Sequence, residues 1–290
     1  MPARGLDHIV HAVRDLDAAA ELYRRMGFTV GARNKHPWGT HNHIVQLPGF
    51  FIEILTFAEP DKLGTDGFSK LFAAYNRDFI AKRDGLSLLI LESKDAAADE
   101  RDFSAAGIAQ SPVMRFEREG KRPDGSPVKV AFSLVFATDK AAPDIHFCTC
   151  QQHFPENFWN PAFQKHDNGV REVRGVIMVA GDAEKHRGFV GAYTSSDDFY
   201  TKPGEVSAWL PRGSLSVMTP ARFQAALGGP PPVSVNNLQA IRFAVDDVAQ
   251  SRAIVTAGGV KVRDHRDGFV VDPADAMGAV LSFEPREKSK

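Results

Sequence analysis

Cysteine is scarce: the 290-residue chain has two, Cys148 and Cys150. As i, i+2 neighbours on an expected strand they are badly placed to bridge each other, so no disulfide framework is available and reduced thiols are expected. Long apolar runs are missing too. Nothing approaches the ~20 residues of a membrane span, and the N-terminus lacks the basic-then-apolar plan of a signal peptide, so a cytoplasmic protein without membrane contact is expected. Neither sign of charge dominates: 35 basic against 36 acidic side chains leave a formal charge of −1. That removes the electrostatic reason to expect nucleic acid or an anionic surface as partner and leaves small molecules. A hydrophobic content of 43% is enough to bury a real core, in one large domain or two of ordinary size.

What the chain does have is a repeated unit. Residues 6–13 read as a strand, and residues 15–26 as a helix whose Leu16, Ala19, Leu22, Tyr23 and Met26 form one apolar face. Asp15 suits the N-cap and Gly27 the position after the helix. Strands are expected at 28–32, 43–47 and 50–57, giving β-α-β-β-β. The second unit opens on "GLSLLILESKDAAADERDFSAAGI", with a strand at 86–92. Asp95 and Gly107 repeat the twelve-position spacing of Asp15 and Gly27. Further strands fit 114–119, 128–136 and 144–150, with "GKRPDGSP" (120–127) as a hairpin loop. A third unit begins near "VREVRGVIMVAGDAEKH", with strands at 206–210 and 214–218. In the fourth, "LQAIRFAVDDVAQSRAIVTAGGVKV" lies against "LDHIVHAVRDLDAAAELYRRMGFTV", and the last strand falls at 279–283. "GGPPP" (228–232) links the last two units. The long connection from His153 to Gly169 is the natural boundary between halves. The expected divisions are 1–152, a connecting segment 153–172, and 173–290.

Four such units, opening on "LDHIVHAVRDLDAAAELYRRMGF" and with "WGTHNHIVQLPGFFIEIL" completing the first, resemble the vicinal oxygen chelate superfamily and, within it, the glyoxalase/bleomycin-resistance group. The resemblance implies an α+β fold of four βαβββ modules paired into two bowl-shaped, mostly antiparallel sheets with flanking helices. It also implies a divalent metal (Zn, Ni, Mn or Fe) held by residues of the first and last strands of each module. His8 stands at the first-strand position and Glu53, in "FFIEIL", at the last-strand position. In the second module Leu88 falls on the His8 position, and laying "DIHFCT" on "FIEI" puts His146 opposite Glu53, with Cys148 one step away on the same face. Gly175 and Ala240 replace His8 in the other two modules and Ser282 replaces the carboxylate, so the second bowl is expected to be metal-free. This departs from the extradiol dioxygenases, whose iron lies in the second half.

The chemistry follows from these types. An imidazole, a carboxylate and a second imidazole on one concave face leave open positions at a metal, which would polarise a carbonyl and stabilise an enediolate, with Glu53 as the catalytic proton shuttle. A carboxylate inside "FFIEILTF" is costly to bury unless paired or metal-bound. By strand alternation His11 lies on the other face and is expected to be a structural histidine under the helix. Trp38, Thr40 and Asn42 in "WGTHN", with His43, are expected to touch substrate; the alternative is an ordinary turn and a surface-facing H-x-H pair, His41 and His43. His153, Trp159, His166 and Asn168 are candidates for a lid or for packing across the sheet ends. His36, His186 and His265 are expected at the surface. Three functions compete: a metal-dependent lyase or isomerase acting on a small carbonyl or vicinal-dioxygen substrate, an Fe(II) dioxygenase, and a metal-free binding protein of the bleomycin-resistance type. Oligomeric state stays open, a homodimer included.

Overall fold

The computed structural model describes residues 2–121, 125–229 and 235–287. Its N-terminal half runs β1 Leu6–Ala12, α1 Leu16–Arg25, β2 Asn34–Lys35, β3 Thr40–Leu47, β4 Phe50–Phe57, α2 Tyr75–Lys82, β5 Gly85–Glu92, α3 Ala96–Ala105, β6 Met114–Lys121, β7 Pro127–Ala137 and β8 His146–Gln152. After α4 Pro155–Phe158 the C-terminal half comprises β9 Val170–Val179, α5 Arg187–Thr194, β10 Phe199–Lys202, β11 Glu205–Trp209, β12 Ser214–Met218, α6 Pro220–Leu227, β13 Asn237–Val245, α7 Val248–Ala257, β14 Arg263–His265, β15 Gly268–Val271 and β16 Val280–Pro285. The strands form two eight-stranded sheets, ordered β2-β3-β4-β1-β5-β8-β7-β6 and β10-β11-β12-β9-β13-β16-β15-β14. Within each sheet two βαβββ modules meet through their first strands, β1 against β5 and β9 against β13, antiparallel, while each first strand pairs parallel with the last strand of its own module. This is the α+β architecture of paired modules. Parts of the expected 120–127 loop and of the 228–232 linker, residues 122–124 and 230–232, lie outside the described residues.

Each module starts its helical segment on the same device. Asp15, Asp95 and Asp247 accept from backbone N–H groups three residues on, and Asp182 from the one two residues on, satisfying donors that a helix start leaves free. The apolar faces of α1, α3, α5 and α7 enter one core shared by both sheets, with Ile9, Tyr23, Phe103, Tyr193, Phe243 and Phe283 among its members. The opposite faces of the sheets hold separate clusters, one in each concavity. His11 is tied into the shared core: it accepts from Tyr23 Oη at Nδ1 and donates from Nε2 to the Met277 carbonyl, each at 2.9 Å.

Two stretches depart from expectation. Residues 28–32 form no strand: Phe28 turns into the core between Tyr23 and Phe243, and the Gly31 carbonyl is taken by the His43 side chain at 2.7 Å. The pairing falls instead to the two-residue β2. Between β4 and β5 the chain makes a π-helical turn, Ser69–Ala74, that continues directly into α2. It carries Phe72 and Ala73 into the first concavity.

Candidate active site in the N-terminal bowl

The first bowl holds a cavity of about 80 Å³, lined by His8, Trp38, Asn42, Phe51, Glu53, Arg118 and further aromatic side chains. That is several times the room one water needs. The residues reach it by strand alternation. His8 on β1 and Phe51 and Glu53 on β4 point inward because β1 and β4 pair His8 with Phe51 and Val10 with Glu53. Asn42 and Ile44 on β3 share that face, opposite Leu55 and Glu53.

Asp7 should by alternation face away from His8, yet its Oδ2 accepts from His8 Nδ1 at 2.5 Å. The cause is a bulge: Leu6 pairs with Leu91 and His8 with Ile90, so Asp7 is an extra residue opposite no partner. A bulge re-aims a side chain, and here it turns the carboxylate toward the next imidazole. Gln152 Nε2 donates to the other Asp7 oxygen at 2.9 Å, fixing the carboxylate. With Nδ1 donating to Asp7, Nε2 is the ring nitrogen of His8 that has no partner among the described residues. The ring is held flat on Phe51, centroids 4.1 Å apart.

Glu53 is 5% exposed. Burial pushes its carboxyl up, against the opposing pull of His8, the Asn42 hydrogen bond and Arg118. Asn42 Nδ2 donates to Oε1 at 2.5 Å, so a proton taken up by the carboxyl would sit on Oε2. His36 stands beside it, Nε2 at 3.9 Å from the same oxygen, stacked on Trp38. Burial first, then Arg118 and His41, lower its pKa to about 3, so it is a neutral wall. The expectation that His36 lies at the surface is therefore corrected. His186 is also buried, Nδ1 donating to Asp139 at 2.5 Å, and His265 is half-buried against the Ala226 carbonyl.

The other expected site residues divide. Trp38 and Asn42 line the cavity. Thr40 is fully buried and bonds His36 Nδ1 through its hydroxyl at 2.8 Å, so it braces the wall. His43, like His41, occupies the opposite face of β3, opposite Ile54, and has no place in the cavity. His146 is not gathered with His8 and Glu53. It donates from Nδ1 to the Leu71 carbonyl at 3.0 Å and stacks on Tyr75 at 3.7 Å, beneath the π-turn and α2. The register gives the reason. Val10 pairs with Glu53, and its counterpart Ile90 pairs with Cys148, whereas His146 pairs with Leu88. The strand positions corresponding to a four-ligand centre thus hold His8, Glu53, Leu88 and Cys148. In the second bowl the same register gives Gly175, Ser216, Ala240 and Ser282.

This set does not fit the expected metal. Leucine offers no donor, burial pushes the Cys148 thiol well up, and among the described residues no three His, Cys, Asp or Glu side chains converge as a metal group. The long connection closes one side of the cavity with Phe158, whose neighbour Trp159 packs edge-on to Phe51 at 5.9 Å. His166 and Asn168 instead pin the connection to the Gln46 and Met26 carbonyls. Sequence reasoning missed Asp7, His36, Arg118 and the aromatic side chains of 68–72. A dyad across one peptide bond is invisible without the bulge, and a single arginine on β6 carries no motif.

Comparison with known proteins agrees with this architecture. A hypothetical protein from Staphylococcus aureus superposes with a TM-score of 0.68 at 13% identity, over 98% of this chain and 100% of that one. A triple mutant of 4-hydroxymandelate synthase from Streptomyces coelicolor gives 0.58 at 13% identity, over 100% and 95%. A fusion of a xylose isomerase-like TIM barrel with 4-hydroxyphenylpyruvate dioxygenase gives 0.57 at 15%, over 100% of this chain and 50% of that one. At these identities the likeness is one of fold. No curated protein matches the chain. The family model described as "Glyoxalase-like domain" matches residues 6–193, more than half of the 290. The chain therefore belongs to the glyoxalase-like domain family of the vicinal oxygen chelate superfamily.

Proposed function

We propose that the N-terminal bowl binds a small, largely apolar molecule carrying a carbonyl next to a C–H bond, and that the protein's own acid and base move a proton on it. The reading is a glyoxalase-like isomerase or lyase without a resident metal. One observation carries it: His8, braced by Asp7, and the buried Glu53, whose carboxyl burial pushes up, line one aromatic-walled cavity. His8 Nε2 takes the proton from the carbon beside the carbonyl, and Asp7 stabilises the imidazolium that forms. Glu53 Oε2–H donates to the carbonyl oxygen where negative charge grows, as a metal does in relatives that hold one. Where that carbon bears a hydroxyl, return of the proton from His8 to the former carbonyl carbon, with the hydroxyl giving its own proton back to the Glu53 carboxylate, completes an isomerisation through an enediol.

The test is deuterium incorporation from D₂O beside the carbonyl of 2-hydroxyacetophenone and its para-carboxy analogue, followed by proton NMR. Exchange should fall by about 10²–10⁴-fold in His8→Ala and in Glu53→Gln, with binding retained. Binding by the unaltered protein without exchange would select the second reading, sequestration, which the preponderance of aromatic side chains in the cavity wall favours.

A further inference from the structure

We infer that the ligand of the N-terminal bowl is an anion, an aromatic carboxylate, and that Arg118 is the residue that selects it. The inference rests on the bowl being the ligand site. Arg118 lies on β6 opposite Val130, two residues beyond Phe116, whose ring packs edge-on to Trp38 at 4.9 Å. Arg118 lines both the cavity and the outer cleft formed with Val128, Val130 and Phe158, so it stands where a ligand would enter.

Several less exposed arginines of this chain have carboxylate partners, Arg242 with Glu284, Arg222 with Glu205 and the fully buried Arg4 with Asp99, while Arg83 is held by the Asn237 side chain and the Phe79 ring. Arg118, half-buried, has none within ion-pair distance and no hydrogen-bond acceptor among the described residues. Glu53 is near enough to be felt but makes no ion pair with it, and burial pushes that carboxyl toward its neutral form. An arginine taken partly out of water with no counter-charge is costly, and a ligand carboxylate offsets that cost through two parallel N–H···O bonds. The indole N–H of Trp38, a residue of the cavity wall that is 8% exposed, likewise has no acceptor among the described residues. The aromatic walls accept a ring, and the carboxylate at Arg118 would leave the far end of the molecule toward His8 and Glu53.

The matched probes are phenylacetate and phenylacetamide, alike in shape and differing in charge, titrated calorimetrically into the full chain and into Arg118→Gln and Arg118→Lys. Phenylacetate should bind about ten- to a hundred-fold more tightly than the amide. Arg118→Gln should bring that ratio close to one, and Arg118→Lys should restore part of it, with unchanged circular dichroism in both. Equal binding of acid and amide, or a preference that survives Arg118→Gln, overturns the assignment while leaving the bowl as the ligand site. Failure of both probes to bind overturns the inference together with the bowl reading.

Discussion

Replacing Glu53 by glutamine separates a neutral buried acid from a charged one by the sign of a pH effect. Glutamine keeps the Oε1 that accepts from Asn42 and offers an N–H where the neutral acid has its O–H, so at low pH the two proteins differ little. In the folded wild type burial raises the carboxyl above its usual value near 4.5. Between the unfolded and folded pKa values the folded state then holds more protons than the unfolded one, so stability is full below the unfolded value and falls as pH rises toward the folded one. The variant escapes that loss. Each unit of upward shift is worth about 1.4 kcal/mol, or roughly 3–6 °C in Tm at about 2–4 °C per kcal/mol for a chain approaching this size. Melting curves of both proteins from pH 4 to 8, compared as a difference so that other titrating groups cancel, should show Glu53→Gln gaining on the wild type as pH rises. A wild type that instead gains on the variant over that range would mean the carboxylate is held in its charged form, as a cation ligand would hold it, and would refute the metal-free reading.

Other consequences lie away from the cavity. Tyr193 Oη is shared between the Leu89 carbonyl at 2.7 Å and the Cys148 carbonyl at 2.9 Å, joining α5 of the second half to the first sheet. Tyr193→Phe should therefore cost about 1–2 kcal/mol in urea unfolding, and a change below about 0.3 kcal/mol would contradict that role. Cys148 and Cys150 are buried, with thiols pushed well up by burial and, after it, by Asp7. Ellman's reagent should find both only after unfolding; rapid reaction with the native chain would show the bowl's β8 wall to be open.

How far the site can be read from the chain depends on what kind of contact makes it. Alternation alone turns His8, Glu53 and Asn42 inward and sends His11 beneath α1, because neighbouring strand residues face opposite sides whatever lies around them. The same rule sends His43 away from the cavity once the position of β3 against β4 is known. The partner of Glu53 in the second module needed that kind of information too. Cys148 and His146 share a face, and only the parallel pairing of β5 with β8 distinguishes them.

The repeated strand, aspartate cap, helix and glycine are local, each set by backbone geometry and by hydrogen bonds a few residues apart, so the sequence by itself determined the four modules and the family they belong to. Only the tertiary structure decided what the first bowl contains. The bulge that turns Asp7 onto His8 comes from the fit of β1 to β5, the helical segment of residues 69–82 that covers His146 packs from outside any module, and Arg118 and Glu53, 65 residues apart in the chain, line one cavity. Such contacts arise from register and packing between distant segments, and no local pattern encodes them.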